Sequence, residues 1–553
     1  VNVREYLEDK AQCGWFEFYA VIEGLPLAFK WALSKKFVKG VDCIGAARRL
    51  TAEAVEFVGS LGAAAHIGFD DSEIRDAADW CSGVAVGYSH EDLVSLCVAV
   101  GVDGLAENTA ANVARMGCRR WWLRRLRVSV ARSFERGAGA LNLYGGKKGK
   151  YCSDFAVRWR RDACDRNELS LKNTNIVNKL TGETLNLFDV AAGTVSNPEI
   201  RRNELMTRIS GFEALADSRG WKGDFYTLTA SSRYHRVLFS GGDNPFYGGG
   251  DPRDGQEFLT RAWGLARARI KKAGMDWFGF RVAEPHHDGC PHWHLILWSD
   301  RLGEIRRIIR ESWLRFDGGD IGAFHNRVKV KRMVKEIVGK DGIKKSVSAA
   351  GYVAKYISKN IDGVGLDFST ATDDDGGQVQ VSESVADSAA RVDAWAALWG
   401  IRQFQQFGGG RVGVWRELRR LRVPVAVGGV LESARSAADA GDWKRYCELS
   451  GALKLIFEPE KLGFYGDVVS GSVRGVGDDV GRVVETHCDK WEVVYLPEDC
   501  RKRAGVVCSG SGSTWSPVNN CNPPCGGAVI PVNNLDLSEK IKRKERGRGE
   551  VWW

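Results

Sequence analysis

No run of about 18 apolar residues occurs in the 553-residue chain, which excludes a transmembrane helix. No Gly-x-x-x-x-Gly-Lys-Ser/Thr loop is present, so there is no recognisable ATPase. The charged first residues, Arg4, Glu5, Glu8, Asp9 and Lys10, do not read as a secretory signal. Fourteen cysteines are scattered without a small-domain framework and read as reduced thiols of a cytosolic protein. Cys500, Cys508, Cys521 and Cys525 form no paired Cys-x-x-Cys spacing, which argues against a zinc site there. Histidine is scarce: there are 9, and four of them, His286, His287, His292 and His294, fall in one short segment.

What is present bounds the rest. The length implies two to four domains, and 44% hydrophobic residues can build large cores. A net charge of +9 with a pI near 8.8 leans mildly towards a polyanion partner. Twenty tryptophans supply core, and beside arginines they also suit base stacking.

The histidine-rich segment organises the chain. Phe278, Phe280, Val282 and Glu284 alternate with Trp277, Gly279, Arg281 and Ala283, the period of a strand. Pro285 to Pro291 holds Asp288-Gly289 and two prolines, which predicts a turn. His292, His294, Ile296 and Trp298 then share one face of a second strand, with Trp293, Leu295 and Leu297 on the other. Paired as a hairpin, the strands set Glu284 opposite His292, where Cβ atoms lie about 5 Å apart. Two imidazoles and a carboxylate on one face would leave unpaired polar atoms unless something binds them. Three ligands leave open positions, as a catalytic metal site requires. His286 and His287 read as turn residues or DNA contacts.

The remaining chain is read by period and punctuation. Residues 1–106 read as mostly helical, with no role assigned. Residues 107–220 read as Arg-rich helices and as a region that could bind DNA. Arg119, Arg120, Arg124, Arg125, Arg127 and Arg132 surround Trp121, Trp122 and Leu126, which suits either a phosphate-contacting surface or a solvated face over a Trp-Leu stripe. A helix is expected from Asn197 to Ala216. Within 221–365, a strand at 224–229, a helix at 256–273, the hairpin, a helix from Leu302 to Phe316 and a strand at 324–330 follow in order. That β-α-β-β-α-β order predicts an α+β, ferredoxin-like antiparallel sheet with helices on one face. A further helix at 348–363 carries Tyr352 and Tyr356 at i and i+4, each followed three residues later by Lys355 or Lys359. Residues 366–390 read as a linker and 391–422 as helical. Residues 423–553 read as a less regular C-terminal region with a partly disordered basic tail, Lys540 to Arg548.

A metal site beside two tyrosines suggests phosphoryl transfer, with a tyrosine oxygen attacking phosphorus to give a covalent phosphotyrosine. Holding tyrosinate at pH 7 costs roughly 4 kcal/mol, which a metal and Lys355 or Lys359 could offset. Two tyrosines allow two successive transfers. Alone, the tyrosine pair would read as rings packed on an amphipathic helix; beside His292-Trp-His294 it does not.

Phe225-Tyr-Thr-Leu-Thr229, His292-Trp-His294 and Tyr352-Val-Ala-Lys-Tyr356 resemble the three motifs of two-tyrosine HUH endonucleases, the rolling-circle replication initiators. Ser196-Asn-Pro-Glu-Ile-Arg-Arg202, Phe280 to Gly289 and Trp399-Gly-Ile-Arg-Gln-Phe404 resemble the replication gene A protein family of tailed temperate phages and prophages. The resemblance covers about 107–422, and Cys290 departs from it by replacing a small polar residue. It implies that Glu284, His292 and His294 hold Mg²⁺ or Mn²⁺, although imidazole would equally suit Zn²⁺. It implies that Tyr352 and Tyr356 are nucleophiles that nick one strand of single-stranded or supercoiled origin DNA. The 3′ hydroxyl would prime synthesis by a host helicase and DNA polymerase in the bacterial cytoplasm. A two-tyrosine HUH transposase would use the same residues. A non-catalytic origin-binding protein is the reading from a different class, and the intact residue set argues against it.

Overall fold

The computed structural model describes residues 71–495 apart from 141–143, 146–150, 239, 241, 320–321, 339–343, 347, 349–350, 352–384 and 427. The fold is α+β, and the chain divides into two units that exchange segments along the sequence.

Of the described residues, the first unit takes in those within 71–170, 198–408 and 462–468. Its described part opens with helices α1 (Asp71–Val84), α2 (His90–Ala99), α3 (Ala110–Met116) and α4 (Arg119–Ala140). Ser89 caps α2 in a reciprocal pair with Asp92, and Thr109 caps α3. Ile74, Ala78, Cys81, Leu93, Cys97, Met116, Trp122 and Leu126 form the core between these helices. Trp122 is wholly buried, and its indole nitrogen donates to the Met116 carbonyl at 2.6 Å. Several of the α4 arginines are committed within the chain. Arg119 pairs with Asp79, and Arg127 with Asp71. Arg132 donates to the Leu398 carbonyl at 2.7 Å, and Arg136 to Asp251 at 2.7 Å. For these four, the folded face over a Trp-Leu stripe is the reading that holds.

A five-stranded antiparallel sheet follows, made of β1 (Lys222–Thr229), β2 (Phe278–Pro285), β3 (Pro291–Ser299), β4 (Val328–Arg332) and β5 (Phe404–Phe407). The strands lie in the spatial order β4-β1-β3-β2-β5. Helix α5 (Pro198–Ser218) precedes β1, α6 (Pro252–Lys272) joins β1 to β2, and α7 (Leu302–Leu314) joins β3 to β4. The expected β-α-β-β-α-β succession is therefore present. Helix α6 begins four residues earlier than its apolar period suggested, because Asp251 and Asp254 cap it reciprocally around Pro252.

The period of two decides the two faces of the sheet. Trp293, Leu295 and Leu297 meet Leu259, Trp263, Ala266 and Ile270 of α6 and Ile305, Ile309 and Trp313 of α7. Each fully buried side chain of this size contributes about 1.5–3 kcal/mol. The other face is covered in part as well, contrary to the expectation of helices on one side. Phe212 of α5 stacks on Phe278 at 4.9 Å and approaches Trp298 at 6.2 Å.

Three further expectations are corrected. Residues 391–422 are not all helical. Helix α8 (Val385–Trp399) ends, Gly400 turns at φ +66°, and β5 pairs with β2, setting Phe404 opposite Val282 and Phe407 opposite Gly279. The strand expected at 324–330 is a short turn of helix, Ala323–Asn326, and then β4. Residues 107–220 contain strands Thr174–Asn178 and Thr184–Asn186.

Those two strands belong to the second unit, whose described residues fall within 171–197, 409–461 and 469–495. Thr174–Asn178 lies between Thr184–Asn186 and Trp491–Tyr495 in an antiparallel sheet. Helices Val412–Arg420, Gly429–Asp439 and Trp443–Leu449 pack around the rings of Trp415, Trp443 and Tyr446. A second small sheet joins Lys454–Phe457, Val473–Gly477 and Val483–Glu485. The C-terminal region is thus more regular, up to Tyr495, than composition suggested. Cys500, Cys508, Cys521, Cys525 and the tail from Lys540 lie outside the described residues. Among the described residues no helix is long and apolar enough to cross a membrane.

Candidate metal centre

The hairpin of β2 and β3 pairs Glu284 with His292 and Val282 with His294, the register that the turn and the period of two predict. On its other side β3 pairs with β1, which sets Thr229 beside His292 and Thr227 beside His294. Three adjacent strands thereby bring Thr229, His292 and Glu284 into one row across the sheet. Thr227, His294 and Val282 form the next row.

Glu284, His292 and His294 are 1%, 4% and 2% exposed, and one ligand atom from each lies within 4.8 Å of the others. The Nε2 atoms of the two imidazoles stand 3.0 Å apart. Two ligands at right angles on an ion with bonds of about 2.1 Å are separated by about 3.0 Å. The donor set therefore fits a divalent cation, with two nitrogens and a carboxylate as ligands.

The surrounding side chains fix the rings. Thr227 Oγ1 lies 3.4 Å from His294 Nδ1, which leaves Nε2 turned towards the site. The Phe225 ring stacks on His294 at 5.4 Å, and the His286 ring packs at a tilt on His292 at 4.0 Å. From the opposite face Trp293 anchors the strand between the two histidines. Its indole nitrogen donates to Gln256 Oε1 at 3.0 Å, and the Arg281 guanidinium lies 4.0 Å over its ring. Burial, with Arg402 nearby, pushes that guanidinium down to about 9. With Trp293 held on the α6 side, the imidazoles must point to the other.

The turn has its own anchor. Asp288 accepts from the backbone nitrogens of Arg236 at 3.0 Å and Cys290 at 3.1 Å, and its carboxylate lies 3.2 Å from His235 Nδ1. Burial alone would raise Asp288, but His235 and the hydrogen bonds outweigh it and hold the carboxyl at about 2. For His235, burial opposes the charge, yet the Cys290 sulfur and Asp288 lift the imidazole well above its ordinary value. His235 precedes Asp288 by 53 residues, so sequence spacing gave no sign of the pair. His286 and His287 do sit in the turn, and His286 has a second role as a ring packed on His292.

Of the residues singled out from the sequence, the structure brings together Glu284, His292 and His294. Tyr352, Lys355, Tyr356 and Lys359 lie outside the described residues. Thr227 and Phe225 were visible as members of a β-branched and aromatic strand that resembles one of the three HUH motifs, with no role of their own. Their contact with His294 needed the β1–β3 register.

The profile of the bacteriophage replication gene A protein (GPA) matches residues 103–364. The chain is 35% identical to the replication gene A protein of Escherichia phage 186 over 458 residues, covering 80% of this chain and 63% of that protein. It is 34% identical to the probable replication protein P12 of Pseudoalteromonas phage PM2, covering 81% and 68%. It is 32% identical to a probable replication endonuclease from a prophage-like region of Salmonella paratyphi A, covering 77% and 53%. Alignments of this length run past the 107–422 stretch in which the resemblance was first visible. The chain spans 63% of the length of the phage 186 protein and about half that of the Salmonella one. No solved structure matches. With a relative aligned at 34% identity over more than two thirds of its length, the chain belongs to the bacteriophage replication gene A protein family.

Proposed function

We propose that this chain is a site-specific single-strand DNA endonuclease that initiates rolling-circle replication of phage DNA. The observation that carries the reading is the convergence of Glu284, His292 and His294 on one face of a hairpin. The order β4-β1-β3-β2 of the first four strands is that of a ferredoxin-like sheet and supports an HUH nuclease domain. The relatives named as replication proteins and a replication endonuclease support the same reading.

In this proposal Glu284, His292 and His294 hold Mg²⁺ or Mn²⁺. When bound, the cation supplies Lewis-acid polarisation of the scissile phosphate. Tyr352 or Tyr356 attacks phosphorus through its phenol oxygen. The new bond joins that oxygen to the 5′ phosphate, the P–O3′ bond breaks, and the 3′ oxygen gains a proton as the phenol loses one. Lys355 and Lys359 favour the phenolate electrostatically. The second tyrosine repeats the attack at the regenerated junction, which returns the strand end. The partners are single-stranded or supercoiled origin DNA and the host helicase and DNA polymerase that would extend the freed 3′ hydroxyl.

The test is incubation of the full chain with supercoiled and single-stranded forms of its own replicon in Mn²⁺, followed by peptide mapping of any protein-linked DNA. The expected product is a nick with the 5′ end on Tyr352 or Tyr356. The double substitution Tyr352→Phe with Tyr356→Phe is expected to remove the adduct. A persistent adduct would identify another nucleophile, and DNA shifted but left whole would mark a binding-only protein.

A further inference from the structure

A cleft of about 900 Å³ lies against the hairpin turn and takes no part in the chemistry above. Asp288 and Cys290 of the turn line it, and His292 follows Cys290 by two residues, about 7 Å of extended chain. Gln256, another lining residue, accepts the hydrogen bond from Trp293, the tryptophan between the two imidazoles. The cleft thus lies at the turn end of the hairpin on the α6 side, opposite the sheet face that carries the imidazoles, and shares a supporting side chain with the strand that bears them.

Its lining combines rings with charges of both signs. Tyr234 and Tyr247 are half-buried, so part of each ring faces the opening. The three arginines are engaged locally. Arg136 pairs with Asp251, Arg253 with Asp103, and Arg236 donates to the Tyr144 carbonyl at 3.0 Å while its guanidinium lies 5.0 Å over that ring. Asp254 and Glu257 add carboxylates. A bare phosphate would meet those carboxylates and be repelled. A nucleobase would not: its π-face suits the tyrosines, and the exocyclic amines of adenine, cytosine and guanine donate to carboxylates. The volume lies in the range of small-ligand sites, about 300–1,000 Å³, and leaves room for one nucleotide.

We infer that the cleft receives one unpaired nucleobase of the strand presented to the metal centre. This rests on the DNA-cleaving reading above, and it adds a place at the turn end of the hairpin where a base of the bound strand can be sensed away from the scissile position.

The test uses the full chain in EDTA, so that no cleavage intervenes. Fluorescence anisotropy compares a mixed-sequence single-stranded 20-mer with an abasic backbone of the same length. The wild type is expected to prefer the base-bearing strand by roughly five- to hundred-fold, the range of one stacked base. Tyr234→Ala should bring the two affinities towards parity, and Tyr234→Phe should keep the preference. Thr260→Trp, an exposed α6 position at the cleft wall, should fill the cleft and abolish the preference without touching the core. Equal wild-type affinities, a preference that survives Thr260→Trp, or variants that weaken both strands alike would each overturn the inference. If metal-dependent nicking persists in those cases, only the cleft assignment falls. Failure to bind either strand would overturn the DNA-cleaving reading as well.

Discussion

His294 faces His292 at 3.0 Å and is braced by Thr227 and Phe225. Its replacement by alanine is expected to abolish cleavage while single-stranded DNA binding stays within a few-fold of wild type. Undiminished nicking by His294→Ala would refute the metal assignment. Asp288 makes a separate prediction. Its folded pKa, about 2, lies below the ordinary aspartate value of 3.8, so its contribution to stability is present above pH 4 and lost as the pH falls towards 2. The shift corresponds to about 2 kcal/mol. Urea midpoints for wild type and Asp288→Asn should therefore differ by a constant amount from pH 5 to about 6, below the range in which His235 adds its own pH dependence, and begin to converge below pH 4. A gap unchanged at pH 3 would show that the carboxylate is not the source. Glu284, His292 and His294 were legible because turn residues fix the register and the period of two fixes the face. His235 was not legible, because nothing local in Ser231 to Arg236 refers to a turn some fifty residues later.

Among the elements, α4 separates what composition can say from what only the fold can say. Six arginines around two tryptophans read equally as a DNA surface and as a folded face. Arg119 and Arg127 are answered by Asp79 and Asp71 of α1, whereas Arg124 stays at the exposed surface. Arg127→Ala is expected to cost about 1–3 kcal/mol of stability, because Asp71 loses a charged hydrogen-bond partner, and to leave DNA affinity unchanged. Arg124→Ala should leave the melting temperature unchanged. If Arg124 meets a phosphate, the slope of log affinity against log salt should fall by about 0.7. Identical slopes would remove that residue from the DNA surface. Strand β5 shows the limit in the other direction. Phe404-Gln-Gln-Phe407 is too short to display a period, and it is a strand because β2 offers it an edge.

For the whole molecule, the units interleave along the chain, and this was the least legible feature. Thr174–Asn178 pairs with Trp491–Tyr495 across more than 300 residues, and neither run names the other. What the sequence did yield was local in character: strands, caps, a turn and their order. The assembled protein makes one further prediction. EDTA should stop nicking and leave single-stranded DNA binding in place, and Mn²⁺ should restore cleavage without refolding, because the strands that carry the ligands are held by Trp293 and Asp288. Loss of circular dichroism signal on chelation would instead mean that the ion is structural. The pleat that sorts these side chains also makes the hairpin intolerant of length change. One residue gained or lost between the turn and His292 would send both imidazoles into the oil of Leu259 and Ile309, and the indole of Trp293 out to the face that carries Glu284. An in-frame codon deletion there should thus silence the protein as completely as loss of every ligand, although no ligand would be missing from its composition.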